Sequence, residues 1–218
     1  DEMSGKEIVD RLTTMDLFSE RKLFILRDPQ KLKGKASLDL ISLCENSIDN
    51  HFIESVSMIE KNRHTICISS QIGCNVDCDF CATASMGLIR NLMCGEIIDQ
   101  AIAIRGLVTK PISNVVFMGM GEPFLNYKQV MKAADILSDD MGFGLSPKRI
   151  TISTSGIVPK INQFIKDKYK YKLAISLNAT DDETRKRIMP INRNWPINKV
   201  IESASAFAKN SNYRVMFE

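Results

Sequence analysis

The chain has 218 residues, of which 44% are hydrophobic and 25% charged, so it can bury the core of one globular domain. This composition excludes a disordered or fibrous protein. There is no apolar run long enough to span a membrane, and the first residues lack the order of charges typical of a signal peptide. We therefore expect a cytoplasmic protein without membrane contact. The net charge of +3 is too small to indicate a nucleic-acid partner by itself.

The N-terminal part of the chain carries signals for a helix and a hairpin. Residues 5–15 show helical periodicity, and residues 38–44 and 52–58 are two apolar segments. Between these segments Asn46, Asp49 and Asn50 favour a turn. The two segments are therefore predicted to pair as a β-hairpin.

From about residue 64 the chain alternates between strand-like and helical segments. Strands are predicted at residues 65–69, 114–118, 149–153, 173–177 and 213–217, and helices at 95–108, 127–138, 157–167, 181–188 and 197–209. Alternation of this kind is typical of an α/β fold with a parallel sheet. Five units are fewer than the eight of a closed barrel, which needs about 250 residues, so an incomplete, open barrel is predicted.

Three of the six cysteines lie on one loop directly after the first predicted parallel strand. Cys74, Cys78 and Cys81 have the spacing CxxxCxxC. Cysteine thiolates hold iron–sulfur clusters, and three ligands for four irons leave one iron open to an outside ligand. The spacing therefore predicts a [4Fe-4S] cluster whose open iron can bind S-adenosylmethionine (SAM) and start radical chemistry.

The cysteines have two other interpretations. A structural zinc site would need a fourth ligand such as Cys67, but zinc sites usually combine two separated pairs of ligands, and no second pair is present. Three unrelated buried thiols are disfavoured because the loop is polar. Cys44 and Cys94 lie in apolar surroundings and are predicted to be buried thiols, and His51 and His64 to be structural.

Small polar residues follow the next three predicted strands. The motif Gly119-Met120-Gly121-Glu122 follows the second, Ser153 ends the third, and Ser176-Leu177-Asn178 ends the fourth. Ligands of parallel α/β folds bind at the carboxyl ends of strands, so these residues are candidates for a ligand site, with Glu122 accepting a hydrogen bond from a ligand ammonium group. A tight turn and helix capping remain the alternative interpretations.

One stretch combines lysines with aromatic residues. Residues 164–172 hold four lysines interleaved with Phe164, Tyr169 and Tyr171. Such a composition is able to contact RNA by charge and stacking. A solvated helix end is the favoured interpretation.

Beyond the cysteine loop, several motifs resemble the RlmN/Cfr family of radical methyltransferases. The resemblance covers about residues 50–218 and includes the segments 67–74, 82–87, 90–92, 95–97, 118–126, 153–159 and 189–192. The motif in which Pro123 follows Glu122 resembles the RlmN branch of the family more than the Cfr branch. The resemblance implies a partial, open (β/α)6-type radical SAM barrel with an N-terminal extension.

The resemblance also implies an activity and residue roles. Members of the family methylate C2 of adenine in 23S rRNA and tRNA through a methyl-cysteine intermediate, a transient disulfide and a reducing electron donor such as a flavodoxin-like protein. By motif position, Cys67 resembles the resolving cysteine and Glu54 the proton acceptor. The SAM contacts of the family correspond to Gly121, Glu122, Ser153, Ser176, Leu177 and Asn178. We expect a monomer.

Two departures from the family pattern are visible. Asn178 stands where the family usually has histidine, and the methyl-carrying cysteine and a sixth β/α unit are not found in the sequence. We therefore expect a fragment truncated at both ends or a degenerate homologue, with residues 1–50 a remnant of an accessory region and residues 51–218 the radical SAM core. The alternatives are another radical SAM enzyme, such as a protein activase, and a non-catalytic remnant that binds a cluster or RNA.

Overall fold

The structure is a computed structural model that describes residues 22–26, 39–44, 51–211 and 213–218. For residues 22–26 and 39–44 only the backbone is described. The predicted helix at residues 5–15, the turn at 45–50 and the side chain of Cys44 lie outside the described residues.

One open sheet of eight strands forms the centre of the molecule, in the order β1-β2-β3-β4-β7-β8-β9-β10. Its first four strands are antiparallel neighbours, and β4, β7, β8, β9 and β10 are parallel neighbours. The strands of this sheet are β1 (Lys22–Leu26), β2 (Asp39–Cys44), β3 (Ile53–Glu60), β4 (Arg63–Cys67), β7 (Asn114–Phe117), β8 (Ile150–Thr154), β9 (Lys172–Ile175) and β10 (Met216–Phe217). A separate antiparallel pair consists of β5 (Gln71–Gly73) and β6 (Leu88–Asn91).

Helices connect the parallel strands. The described helices are α1 (Cys94–Leu107), α2 (Tyr127–Ser138), α3 (Val158–Lys166), α4 (Asp182–Ile188) and α5 (Ile197–Asn210). Connections of this type between parallel strands put the helices against one face of a curved sheet, as in a barrel. None of the helices in the described part of the chain is long and apolar enough to cross a membrane.

Local sequence explains where the helices begin. In α4 the Asp181 carboxylate accepts a hydrogen bond from the Thr184 N–H at 2.8 Å, which satisfies a backbone donor of the first turn. In α1 the Glu96 carboxylate accepts from the Met93 N–H at 2.7 Å and forms an ion pair with Arg90, also at 2.7 Å. Pro159 lies in the first turn of α3, where its missing N–H costs no helical hydrogen bond.

The core lies between the parallel strands and the helices. Ile66, Val115, Phe117 and Ile152 are fully buried on the helix-facing side of the sheet. A second part of the core contains stacked aromatic rings, in which Phe164 and Phe207 have their centroids 5.8 Å apart. The face of the parallel strands that carries these side chains therefore packs against the helices.

The predicted α/β fold is confirmed, and most element boundaries differ by one or two residues. The antiparallel pairing of β2 with β3 confirms that the two segments of the predicted hairpin pair with each other. The strand predicted at 213–217 is shorter, and the β5–β6 pair was missed. Only three and four residues long, these two strands contain Gly73 and polar side chains, which are weak strand signals.

Candidate functional site

A cavity of about 230 Å³ lies at the carboxyl ends of the parallel strands. The structure brings together here most of the residues predicted from the sequence, namely Cys74, Cys78, Cys81, Gly121, Glu122, Ser153 and Ser176. Residues to which the sequence assigned no role complete the walls, among them Phe80, Met118, Thr154, Ser155, Met189 and Glu218.

The register of the sheet puts Glu54 and Cys67 on the same face. Cys67 pairs with Val56 on β3 and with Val116 on β7, and paired residues point to the same face. Since Glu54 is two residues before Val56, it lies on this face as well. Glu54 is exposed, and neither Glu54 nor Cys67 lines the cavity. Both lie at the same end of the sheet as the cavity.

The cysteine loop is held at both of its ends. The Cys74 N–H donates to the Gly87 carbonyl at 3.0 Å, and the Asp79 N–H donates to the Ile188 carbonyl at the end of α4 at 2.9 Å. Within the loop the Cys81 N–H donates to the Cys78 carbonyl at 3.1 Å. These bonds turn three thiols of one short segment towards a single cavity.

The thiols of the loop are unpaired, and two of them have a raised pKa. All three are free cysteines. Burial, followed by the neighbouring charges of Cys74 and Cys81, raises the pKa of Cys78 to about 12. Burial also raises the pKa of Cys74. Metal binding would deprotonate these thiols, because a coordinating thiol binds as its thiolate.

The glycine motif allows two loops to approach closely. A Cβ added to Gly119 would lie 2.8 Å from the Ile68 carbonyl carbon, and one added to Gly121 would overlap the Gln71 side chain. Gly121 also has φ of +94°, which side chains rarely tolerate. The loop after β7 therefore packs directly on the loop after β4, and its backbone forms part of the cavity wall.

Glu122 is buried beneath the cavity. Its carboxylate accepts hydrogen bonds from the Phe124 N–H at 3.0 Å and from the Ser155 N–H at 2.7 Å. Burial raises the pKa of this carboxyl, and the Ser155 N–H and the Thr154 hydroxyl oppose the rise. Glu122 thus links the loop after β7 to the end of β8, besides lining the cavity.

One buried hydroxyl at the cavity lacks a partner. Ser155 is 7% exposed and lines the cavity, and its Oγ has no hydrogen-bond partner among the described residues. The Oγ lies near enough to the Glu122 carboxylate to affect its pKa without forming a bond of normal geometry. A buried hydroxyl of this kind is normally satisfied, so it indicates a missing ligand.

A buried arginine supports the ends of β8 and β9. Arg185 of α4 is 0% exposed, and its guanidinium donates to the Ser155 carbonyl at 2.7 Å and the Leu177 carbonyl at 3.0 Å. It also donates to the Asn192 side-chain oxygen at 2.8 Å. No sequence motif had suggested this residue, because its partners are distant backbone carbonyls.

The last two candidates lie beside the cavity. The Leu177 side chain packs against the hydrophobic core. Asn178 has φ of +57°, and its amide contacts the Met189 sulfur at 3.5 Å. Neither residue is among those that line the cavity.

The donor set fits a four-iron cluster better than a single metal ion. Within the described residues no three His, Cys, Asp or Glu side chains are close enough to hold one ion. A zinc ion would need its sulfurs all within about 2.3 Å of one point, whereas a cube of four irons spaces them further apart. The three convergent thiols and the unsatisfied Ser155 hydroxyl are consistent with a cluster and an additional polar ligand.

Comparison with known protein families gives one match. Residues 68–216 match the model of the radical SAM superfamily. This region begins one residue after β4 and includes the cysteine loop and every residue that lines the cavity except Glu218.

Curated relatives carry names that refer to RNA methylation. The "Probable dual-specificity RNA methyltransferase RlmN" of Dictyoglomus turgidum is 47% identical over 173 residues, which are 78% of this chain and 50% of that protein. The "Dual-specificity RNA methyltransferase RlmN" of Nitratiruptor sp. is 44% identical over 186 residues, or 78% of this chain and 52% of that protein. The chain thus spans about half the length of the curated relatives it matches.

A solved structure has the same fold. It is a radical SAM methyltransferase from Sphaerobacter thermophilus, with a TM-score of 0.79 and 34% sequence identity. The match covers 99% of this chain and 62% of the other.

Proposed function

Because this chain belongs to the radical SAM superfamily, we propose that it is the core of an RNA methyltransferase that acts on C2 of adenine in 23S rRNA and tRNA. The observation that carries this proposal is that three free cysteines line the same cavity as Gly121, Glu122, Ser153 and Ser176 from the strand ends. The names of relatives with 42–47% identity support the choice of an RNA substrate.

In this proposal Cys74, Cys78 and Cys81 hold a [4Fe-4S] cluster. Once reduced, such a cluster would supply a 5′-deoxyadenosyl radical from SAM, which suits adenine C2 because that carbon is neither acidic nor nucleophilic. The hydrogen bonds that fix both ends of the cysteine loop hold the thiols in place before iron arrives. A flavodoxin-like protein is the proposed electron donor, and a monomer is the proposed state.

The strand ends provide the proposed SAM site. Ser153 and Ser176 present hydroxyls at the cavity, while Gly121 and Glu122 form its wall. Leu177 and Asn178 are proposed to contribute through the backbone turn that follows β9.

Glu54 and Cys67 are proposed to act on the RNA side of the site. Cys67 is the proposed resolving cysteine, and burial raises its pKa to about 11. It is therefore a protonated thiol near pH 7 and must lose a proton to a base before it forms a disulfide. Glu54 is exposed on the same face and is the proposed proton acceptor from adenine.

The RNA of a host strain tests the proposal most directly. Mass spectrometry of 23S rRNA and tRNA is expected to detect 2-methyladenosine in the parent strain and its loss when the gene is deleted. Reintroducing the gene with Cys78→Ala should leave the modification absent, whereas Cys94→Ala should restore it. Unchanged 2-methyladenosine after deletion would sink the proposal.

Anaerobic reconstitution tests the cluster separately. The purified protein is expected to bind about four irons and, with a strong reductant, to convert SAM into 5′-deoxyadenosine. Cys94 is a matched control for Cys78, because it is a free, buried cysteine at the start of α1 and does not line the cavity. Equal iron content in Cys78→Ala and Cys94→Ala would contradict the assigned ligands.

A further inference from the structure

Arg185 is a cation buried among neutral groups. Its guanidinium donates to four backbone carbonyls and to the Asn192 side-chain oxygen, and its exposure is 0%. None of these acceptors carries a charge. Burying an arginine without an anion is costly, by several kcal/mol per ion in proteins.

The carboxylates near Arg185 are occupied elsewhere. Asp182 accepts from the Asn192 amide at 2.9 Å and from the Ile197 N–H at 2.8 Å, so it acts on Arg185 only at a distance. Glu122 contacts the N–H of Ser155, whereas Arg185 contacts the carbonyl of the same residue. Within the described residues Arg185 forms no direct ion pair with either.

The cysteine loop lies next to the helix that carries Arg185. The loop is bonded to the end of α4 through Asp79 and Ile188, and α4 carries Arg185. Burial lowers the pKa of Arg185, while the negative charges of Asp182 and Cys78 raise it. Arg185 also donates to the carbonyls of Ser155 and Ser176, and both serines line the cavity together with Cys78.

We propose that Arg185 is a positioning residue whose buried charge balances the anionic cluster and raises its reduction potential. The inference rests on the proposed function, because it needs a cluster at Cys74, Cys78 and Cys81. Three thiolates give the oxidised cluster a net negative charge, and reduction increases it. Cluster potentials depend on nearby charge and solvent exposure, so a buried cation stabilises the reduced form more than the oxidised form.

Potentiometric titration of the reconstituted protein, followed by electron paramagnetic resonance, tests the inference. Arg185→Gln removes the charge, Arg185→Lys keeps it, and Arg187→Gln removes an exposed charge from the same helix. At a fixed potential, Arg185→Gln should lower the ratio of reduced to oxidised cluster at least ~10-fold, a shift of about 59 mV to more negative values for one electron. Arg187→Gln should change the ratio less than about twofold, because water screens surface charge.

Each outcome decides the inference. The inference is supported if all variants bind a cluster and only Arg185→Gln has a shifted potential. It is also supported if Arg185→Lys binds a cluster and Arg185→Gln does not. The inference is overturned if Arg185→Gln keeps the wild-type potential, because the buried charge would then have no effect on the cluster. It is also overturned if Arg185→Gln and Arg185→Lys shift the potential equally or both lose the cluster, because hydrogen-bond geometry rather than charge would then matter. Wild-type protein that binds no four-iron cluster would instead refute the proposed function.

Discussion

Replacing Gly121 with alanine tests how the glycine loop builds the cavity. A residue other than glycine at φ +94° costs about 1–3 kcal/mol. The new Cβ would also overlap Gln71, and overpacking costs a further ~1–3 kcal/mol. Gln71 cannot move aside cheaply, because its side chain bonds both the Glu122 N–H and the Asn91 side chain at 2.7 Å. We expect Gly121→Ala to lower the free energy of unfolding by about 4 kcal/mol.

Urea unfolding followed by circular dichroism measures this change. The matched control is Gly106→Ala in α1, where an added Cβ meets nothing within 4 Å. Alanine favours a helix, so the control should gain about 0.5–1 kcal/mol. A Gly121→Ala protein within about 1 kcal/mol of wild type, at an unchanged denaturant slope, would refute the reasoning about the loop contact.

Three further substitutions or reactions test other parts of the structure. Phe207→Ala removes a buried stacked ring, so urea unfolding should show a loss of about 3–5 kcal/mol, and a loss below about 1 kcal/mol would contradict the core packing. Ser155→Ala removes the unsatisfied hydroxyl, so the cluster-free variant should be at least as stable as the cluster-free wild type. Calorimetry should show that the variant binds SAM about 3–10-fold more weakly. An unchanged affinity for SAM would mean that Ser155 is not part of the ligand site. Because burial raises the pKa of Cys67 to about 11, its alkylation by iodoacetamide in cluster-free protein should still accelerate above pH 9, and a plateau by that pH would contradict this burial.

The sequence predicted the repeating elements because their signals are local. The helix predicted at residues 127–138 is observed as Tyr127–Ser138, since its buried side chains recur at helical spacing. The spacing of Cys74, Cys78 and Cys81 likewise predicted that the three thiols meet. Seven of the candidate residues line one cavity because the carboxyl ends of parallel strands lie side by side.

Features that depend on distant partners could not be predicted from local patterns. Arg185 reads in the sequence as one more charge on a polar helix, yet it is fully buried by partners on other elements. Ser155 was part of a recognised motif, but only the fold shows that its hydroxyl lacks a partner. The interpretation of residues 164–172 as a solvated helix end was also incomplete, since Phe164 and Tyr171 are buried.

The Ser69 hydroxyl fixes the spacing between the cavity and the strand that carries Glu54. It donates to the Glu54 carbonyl at 2.6 Å and accepts from the Met120 N–H in the glycine loop at 2.9 Å. The buried Gln100 side chain holds the Ser69 backbone from α1 through both its N–H and its carbonyl. A single oxygen atom therefore joins the strand that carries Glu54 to the glycine loop that forms part of the cavity wall, so a shift of either element is passed on to the other.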